Sequence, residues 1–157
     1  MRLYIVRHGE AERQVTTDEA RALTRDGRDD VTRLWTHLVA RGVQPRRIVS
    51  SPYVRARQTA DLIAGFFPGV PREQLDLITP DGDPSRVLAR LLEAGVGDDW
   101  VLVSHMPLVD RLCGALTDGG RYPFPVGATA CLDVEVLAPE GGRLRWLVAP
   151  ADIPGTA

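Results

Sequence analysis

Three short apolar runs, each followed by a polar turn and then by a helical repeat, constrain this chain more than any other feature. The runs are Leu3-Tyr4-Ile5-Val6, Arg47-Ile48-Val49-Ser50 and Trp100-Val101-Leu102-Val103-Ser104. Runs this short and this apolar match strands buried on both faces of a parallel sheet. Beyond the first run, a long polar loop leads to Thr24. This residue caps a helix in which Val31, Leu34, Trp35, Leu38 and Val39 recur at i, i+3, i+4, i+7 and i+8, ending at Gly42. Beyond the second, Ser51-Pro52 supplies a cap and a first-turn proline, predicting a helix to about Phe66. Asp83-Pro84 repeats that start signal for a helix with Val87, Leu88, Leu91 and Leu92 on one face. Beyond the third, His105 and Pro107 lead into a helix that turns Leu108, Val109, Leu112, Cys113 and Leu116 inward.

Near the C-terminus, residues 130–137 and 143–149 alternate. Asp133 and Glu135 share one face, and Arg143 and Arg145 the matching face, across a Pro-Glu-Gly-Gly turn. A hairpin at the sheet edge is expected. The whole pattern predicts an α/β chain, a three-layer α/β/α domain with a mostly parallel, mixed central sheet, whose ligands bind beyond the carboxyl ends of the strands. With no linker, repeat or low-complexity tract, residues 1–157 read as a single domain, large enough to bury roughly 70% of its unfolded surface.

Composition narrows the functional classes. No apolar run approaches the ~18 residues of a membrane span, and the first apolar stretch stops at Arg7, too early for a signal-peptide core. A cytoplasmic location and no membrane partner are expected. A net charge of -2 provides no general attraction to nucleic acid. The two cysteines, Cys113 and Cys131, fall inside a predicted helix and strand and read as buried small hydrophobes rather than a disulfide or metal pair.

Four residues carry the chemistry. Arg7, His8, Arg55 and His105 follow the three predicted strands directly or within a helical turn, so the fold brings them to one edge. Two guanidinium forks suit the oxygens of a phosphoryl group, and two histidines offer a nucleophilic imidazole and a second donating group. Either histidine alone would read as a core or cap residue. A metal centre built on the pair lacks a third ligand nearby. His37, inside the first helix, reads as structural, and Arg25, Arg28, Arg33 and Arg57 read as solvated helix faces. Asp26, Asp29 and Asp30 favour the start of their helix.

Three blocks stand in order: Val6-Arg7-His8-Gly9-Glu10, Ser50-Ser51-Pro52-Tyr53-Val54-Arg55-Ala56-Arg57-Gln58-Thr59-Ala60, and Val103-Ser104-His105-Met106-Pro107-Leu108-Val109. In these the chain resembles the histidine phosphatase superfamily, also called the phosphoglycerate mutase-like or RHG family. Asp18-x-x-Arg21-x-Leu23-Thr24 and Leu77-Ile78-Thr79-Pro80-Asp81-Gly82-Asp83 extend the likeness toward its SixA-type phosphohistidine phosphatases.

The resemblance implies a phosphoglycerate mutase-like fold and a reaction needing neither metal nor other cofactor. In that reaction His8 attacks phosphorus and becomes phosphohistidine, Arg7, Arg55 and His105 surround the transferring group, and water then hydrolyses the intermediate. It also implies substrate contacts at Gly9, Arg21 and Met106, with Gly9 admitting the backbone close to phosphate and the Ser51-Pro52 helix start directing positive charge inward. Many superfamily members have a glutamate after the middle strand and an asparagine soon after the RHG motif; neither is evident here. Asp18 and Asp81 are the candidate general acids, while Asp83 reads more simply as a helix cap. Imidazole leaves more readily than an alkoxide, so the missing glutamate favours phosphohistidine over phosphate esters. Between Phe67 and Trp100 there is room for one short segment and one helix but no lid. An open site suits phosphohistidine on another protein, such as a histidine phosphotransfer domain. Small-molecule phosphate esters are the alternative substrates, and a non-catalytic phosphate-binding scaffold is the alternative from another class.

Overall fold

The computed structural model describes residues 1–155. Six strands form one sheet: β1 (Arg2–Arg7), β2 (Arg47–Ser50), β3 (Arg72–Gln74), β4 (Trp100–Ser104), β5 (Thr129–Val134) and β6 (Gly142–Val148), in the spatial order β3-β2-β4-β1-β5-β6. β1, β2, β3 and β4 run parallel; β5 pairs antiparallel with β1, and β6 pairs antiparallel with β5 at the sheet edge. Four helices, α1 (Arg25–Ala40), α2 (Val54–Ala64), α3 (Pro84–Glu93) and α4 (Leu108–Leu116), complete a mixed α/β fold.

Alternation along β1 explains the layering. Leu3 and Ile5 point into a core shared with α3 and α4, whereas Tyr4 and Val6 point into a second core shared with α1 and α2. All four are at most 1% exposed. A strand covered on both faces reads as an unbroken apolar run, which is why β1, β2 and β4 are visible in the sequence.

The helices form largely where their start signals stand. Thr24 Oγ1 accepts the Gly27 N–H at 2.9 Å, and the chain leaves α1 through Gly42 at φ +88. Asp83 accepts the Ser85 N–H at 3.0 Å and caps α3. Its apolar face is narrower than expected, because Leu92 is 66% exposed while Val87, Leu88 and Leu91 are buried.

Three expectations need correction. α2 begins at Val54, not at Ser51-Pro52, and ends at Ala64 rather than near Phe66. The Ser51 hydroxyl is drawn away to His105, and the Val54 N–H is taken by the Glu19 carbonyl at 3.0 Å. β3 was not expected at all: its Arg-Glu-Gln sequence is exposed and carries no apolar pattern. The first hairpin strand is shorter than predicted, because Glu135 already lies in the turn, its N–H on the Gly141 carbonyl at 2.8 Å; β6 keeps its predicted length one residue earlier, and a bulge at Arg145 shifts its register between Cys131 and Leu132. Asp133 does face Arg143 and Arg145, at 3.8 Å and 3.6 Å. Both cysteines are buried.

Candidate active site

Strand ends place the site. β1, β2 and β4 are neighbours and parallel, so Arg7, Ser50 and Ser104 finish at the same edge of the sheet, and the residues after them converge. The His8 N–H continues the β1–β4 ladder onto the Ser104 carbonyl at 3.0 Å.

The His8 ring is fixed by two contacts. Its Nδ1 lies 2.7 Å from the Gly9 carbonyl, which can only accept, so Nδ1 carries the proton. The lone pair is therefore on Nε2, where it accepts the Arg55 Nε–H at 3.2 Å. Burial pushes the His8 pKa down to about 4; the Gly9 carbonyl pulls the other way, and the charges of Arg55, Arg7 and Arg21 add to the fall. At neutral pH His8 is an uncharged imidazole with an unprotonated Nε2.

Arg55, in the first turn of α2, is 4% exposed and held from two sides. Its Nη1 donates to the Asp18 carbonyl at 2.7 Å and its Nη2 to Asp18 Oδ2 at 3.1 Å, while the guanidinium lies 5.0 Å from the centre of the Tyr53 ring. Arg21 holds the other oxygen, Oδ1, at 3.0 Å, and donates through Nε to the Glu12 carbonyl. Arg7 anchors one guanidinium nitrogen on the Phe124 carbonyl at 2.7 Å. Its Nε is buried with no hydrogen-bond partner among the described residues.

His105 follows β4 and is 1% exposed. Its ring centre lies 5.0 Å from that of His8 and 5.0 Å from that of Tyr53. Nε2 is 2.7 Å from Ser51 Oγ, and Nδ1 is the second buried site nitrogen without a partner. Burial, then the neighbouring His8 and Arg55, push its pKa down to about 3, so this ring is also neutral.

The remaining sequence candidates occupy varied places. Gly9 sits beside His8, but its N–H is committed to Thr59 Oγ1 at 3.1 Å. A Cβ there would stand 2.9 Å from Val31 Cγ2 and 3.0 Å from the Gly27 carbonyl oxygen, so the glycine admits α1 against the loop. Met106 packs on the core beside α3 and α4. Asp81 lies exposed in the turn before α3, and its charge helps to raise the Tyr53 pKa.

Asp18 is more than a loop residue. Although partial burial raises its pKa, the hydrogen bonds from Arg21 and Arg55 outweigh that and hold it below the usual carboxylate range. With both carboxylate oxygens committed to arginines, Asp18 serves as an anchor for the two guanidinium groups. Tyr53 and Thr59 are residues of this cluster that sequence reasoning passed over, although both lie within the Ser50–Ala60 block, and Ser51, expected as a helix start, joins it through its hydroxyl instead. His37 is remote, bonded to Arg41 at 3.1 Å in the last turn of α1.

Together these groups set the His8 Nε2 lone pair beside buried Arg55 and half-buried Arg7, with two buried nitrogens, Arg7 Nε and His105 Nδ1, that have no partner among the described residues, an arrangement suited to a tetrahedral oxyanion. Among the described residues, no group of three or more His, Cys, Asp or Glu is arranged to hold a metal ion, and no helix is long and apolar enough to cross a membrane.

Known proteins resemble this chain in sequence and fold. Phosphohistidine phosphatase SixA of Escherichia coli (strain K12) is 31% identical over 159 residues, covering 98% of this chain and 96% of that protein. The phosphohistidine phosphatase SixA homolog of Haemophilus influenzae is 34% identical over 79% of this chain and 81% of its own. A solved structure of the protein histidine phosphatase SixA complexed with tungstate superposes with a TM-score of 0.84 at 31% identity, covering 97% of this chain and 99% of that one. Residues 3–78, which carry His8, Arg21 and Arg55, match the family described as the histidine phosphatase superfamily (branch 1). With sequence likeness over nearly its whole length and the same fold, the chain belongs to the histidine phosphatase superfamily.

Proposed function

We propose that this chain is a phosphatase that hydrolyses phosphohistidine on a protein, by way of a phosphohistidine intermediate on His8 and without a metal or other cofactor. The observation that carries the reading is the fixed His8 tautomer. With Nδ1–H held on the Gly9 carbonyl, the Nε2 lone pair is the only part of the ring able to attack phosphorus. The substrate class follows from the likeness to phosphohistidine phosphatase SixA over nearly the full length of both chains. Tungstate is a tetrahedral oxyanion of the charge and shape of phosphate, and its binding to the related SixA structure fits the same chemistry.

In the first step a bond forms between His8 Nε2 and phosphorus as the bond from phosphorus to the substrate nitrogen breaks. Arg55 releases the Nε2 lone pair and turns its N–H toward a phosphoryl oxygen, joined by Arg7 and His105. A substrate ring protonated on its other nitrogen departs as neutral imidazole, so no strong acid is needed. Phosphorylated His8 keeps its Nδ1 proton and is formally an imidazolium, so in the second step it too leaves as neutral imidazole. Water supplies the new oxygen and its proton goes to inorganic phosphate.

Two further features support a protein substrate. Between Phe67 and Trp100 the chain forms only three-residue β3, a 3-10 turn at Asp76–Ile78 and α3, leaving no segment to close over the site. Tyr53 is half-buried beside His105 and Arg55, offering an aromatic wall at the entrance. The partner we infer is a cytoplasmic phosphohistidine protein such as a histidine phosphotransfer domain.

The test compares kcat/KM for a phosphorylated phosphotransfer domain with that for a panel of sugar and nucleotide phosphates, using wild type and His8→Ala. We expect preference for the phosphoprotein, an acid-labile phosphoryl label on wild-type His8, and loss of at least about 10³-fold of activity in the variant. Preference for an ester rejects the substrate, and an active His8→Ala protein rejects the mechanism.

A further inference from the structure

One buried hydroxyl joins the end of β2 to the end of β4. Ser51 is 0% exposed, and its Oγ has two partners among the described residues: it accepts the Tyr53 N–H at 3.2 Å and lies 2.7 Å from His105 Nε2. A hydroxyl has one proton to donate. The Tyr53 N–H uses a lone pair of Oγ and cannot receive that proton. His105 Nε2 is the acceptor left. Were Nε2 protonated instead, the serine proton would be buried with no acceptor, at a cost of about 1–3 kcal/mol.

The imidazole must then carry its own proton on Nδ1, the nitrogen that is buried without a partner. Its ring lies 5.0 Å from the His8 ring, and the unpaired Nε of Arg7 belongs to the same site. A neutral histidine with an unspent N–H beside a nucleophile is an oxyanion donor awaiting its acceptor. The depressed pKa of His105 agrees, since this ring acts without gaining charge.

We propose that Ser51 is a positioning residue: it donates to His105 Nε2, holds His105 as the Nδ1–H tautomer, and so presents Nδ1–H to an oxygen of the transferring phosphoryl group. The proposal rests on the phosphatase reading for its catalytic half, while the tautomer stands on geometry alone. It also explains why α2 does not start at Ser51: the hydroxyl that would have capped the helix holds a histidine from β4 instead.

Nitrogen chemical shifts of the histidine rings in the whole protein, with and without inorganic phosphate, test it. In wild type we expect His105 Nε2 to appear as an unprotonated acceptor and Nδ1 as a protonated donor at neutral pH, and the Nδ1 signal to move when phosphate binds. In Ser51→Ala both tautomers should be populated and kcat should fall about 10- to 100-fold with KM changed less than about threefold, because the donor is misset only part of the time. Ser51→Thr, which retains the hydroxyl, should restore the single tautomer and most of kcat. A wild-type His105 protonated on Nε2 overturns the proposal, as does a Ser51→Ala protein with the wild-type tautomer or the wild-type kcat. Because the spectra need no turnover, a correct tautomer in a protein inactive on phosphohistidine would fault the functional reading and not this one.

Discussion

Asp18 grips Arg55 twice, by its carbonyl oxygen at 2.7 Å and by its carboxylate at 3.1 Å. A negative charge this close to a phosphate site would be adverse if its only effect were repulsion. Its benefit is orientation, since it fixes a buried guanidinium whose third contact is His8 Nε2. Asp18→Asn should therefore lower kcat/KM about 3- to 30-fold, while leaving the alkaline side of the pH profile in place. Steady-state rates from pH 5 to 9 check this; disappearance of an alkaline limb would make Asp18 the acid after all.

On the proposed mechanism, the His8 pKa of about 4 sets the acid limit of catalysis. The reactive species is the neutral ring, which predominates above that value, so kcat/KM should hold as pH falls through the ordinary histidine range and drop only near pH 4. Measurement on a substrate stable over that interval, at constant ionic strength, decides the matter. A fall centred near 6.5 would contradict the buried, neutral nucleophile.

The same two pKa values predict how stability changes with pH. His8 and His105 titrate near 4 and 3 in the folded chain but near the unperturbed ~6.5 when unfolded. Between those values the unfolded state binds more protons, so stability decreases as pH falls from about 6.5 toward 4. Urea midpoints at pH 7, 6, 5 and 4 should show the decline, and a His8→Asn, His105→Asn double variant should flatten it.

Thr59 ties the nucleophile's loop to α2. Its Oγ1 accepts the Gly9 N–H at 3.1 Å and donates to the Arg55 carbonyl at 2.8 Å. Thr59→Val preserves shape but leaves the Gly9 N–H buried and unpaired. The expected cost is about 1–3 kcal/mol by denaturant titration, with a lower kcat from a loosened His8 loop.

Packing alone calls for a glycine at position 9. Gly9→Ala would force a Cβ to 2.9 Å from Val31 Cγ2 and 3.0 Å from the Gly27 carbonyl, destabilising the protein by about 1–3 kcal/mol. Val31→Ala in the same chain should recover part of that loss by clearing one of the two contacts. Additive losses in the double variant would show that the side-chain clash is not the cause.

Much of this site was readable because its parts sit where hydrophobic pattern stops. Arg7, His8 and His105 directly follow strands whose apolar runs admit one reading, and α1 and α3 carry their caps in plain view. What escaped depends on partners distant in the chain. Ser51 reads as a helix cap until His105 claims its hydroxyl, and the Arg55 side chain looks free until the Asp18 loop folds over it. The anchor of Arg7 is the backbone carbonyl of Phe124, a group every residue possesses, so nothing in the side-chain pattern announces it. β3 escaped for the opposite reason. It is an exposed edge whose pairing comes from the backbone and whose side chains carry no periodic signal.

The central place of β1 bears on how the chain acquires activity. Leu3 pairs with Trp100 on one side and Leu132 on the other, and the Arg7 guanidinium rests on a carbonyl 117 residues further along. Such long-range pairings make folding slow relative to helical domains and put much of the loop-closure cost before the reward. A nascent chain lacking β4 and β5 holds the nucleophile and both arginines yet has nothing to align them. Phosphatase activity should therefore arise late in synthesis, only once β4 and β5 are in place beside β1.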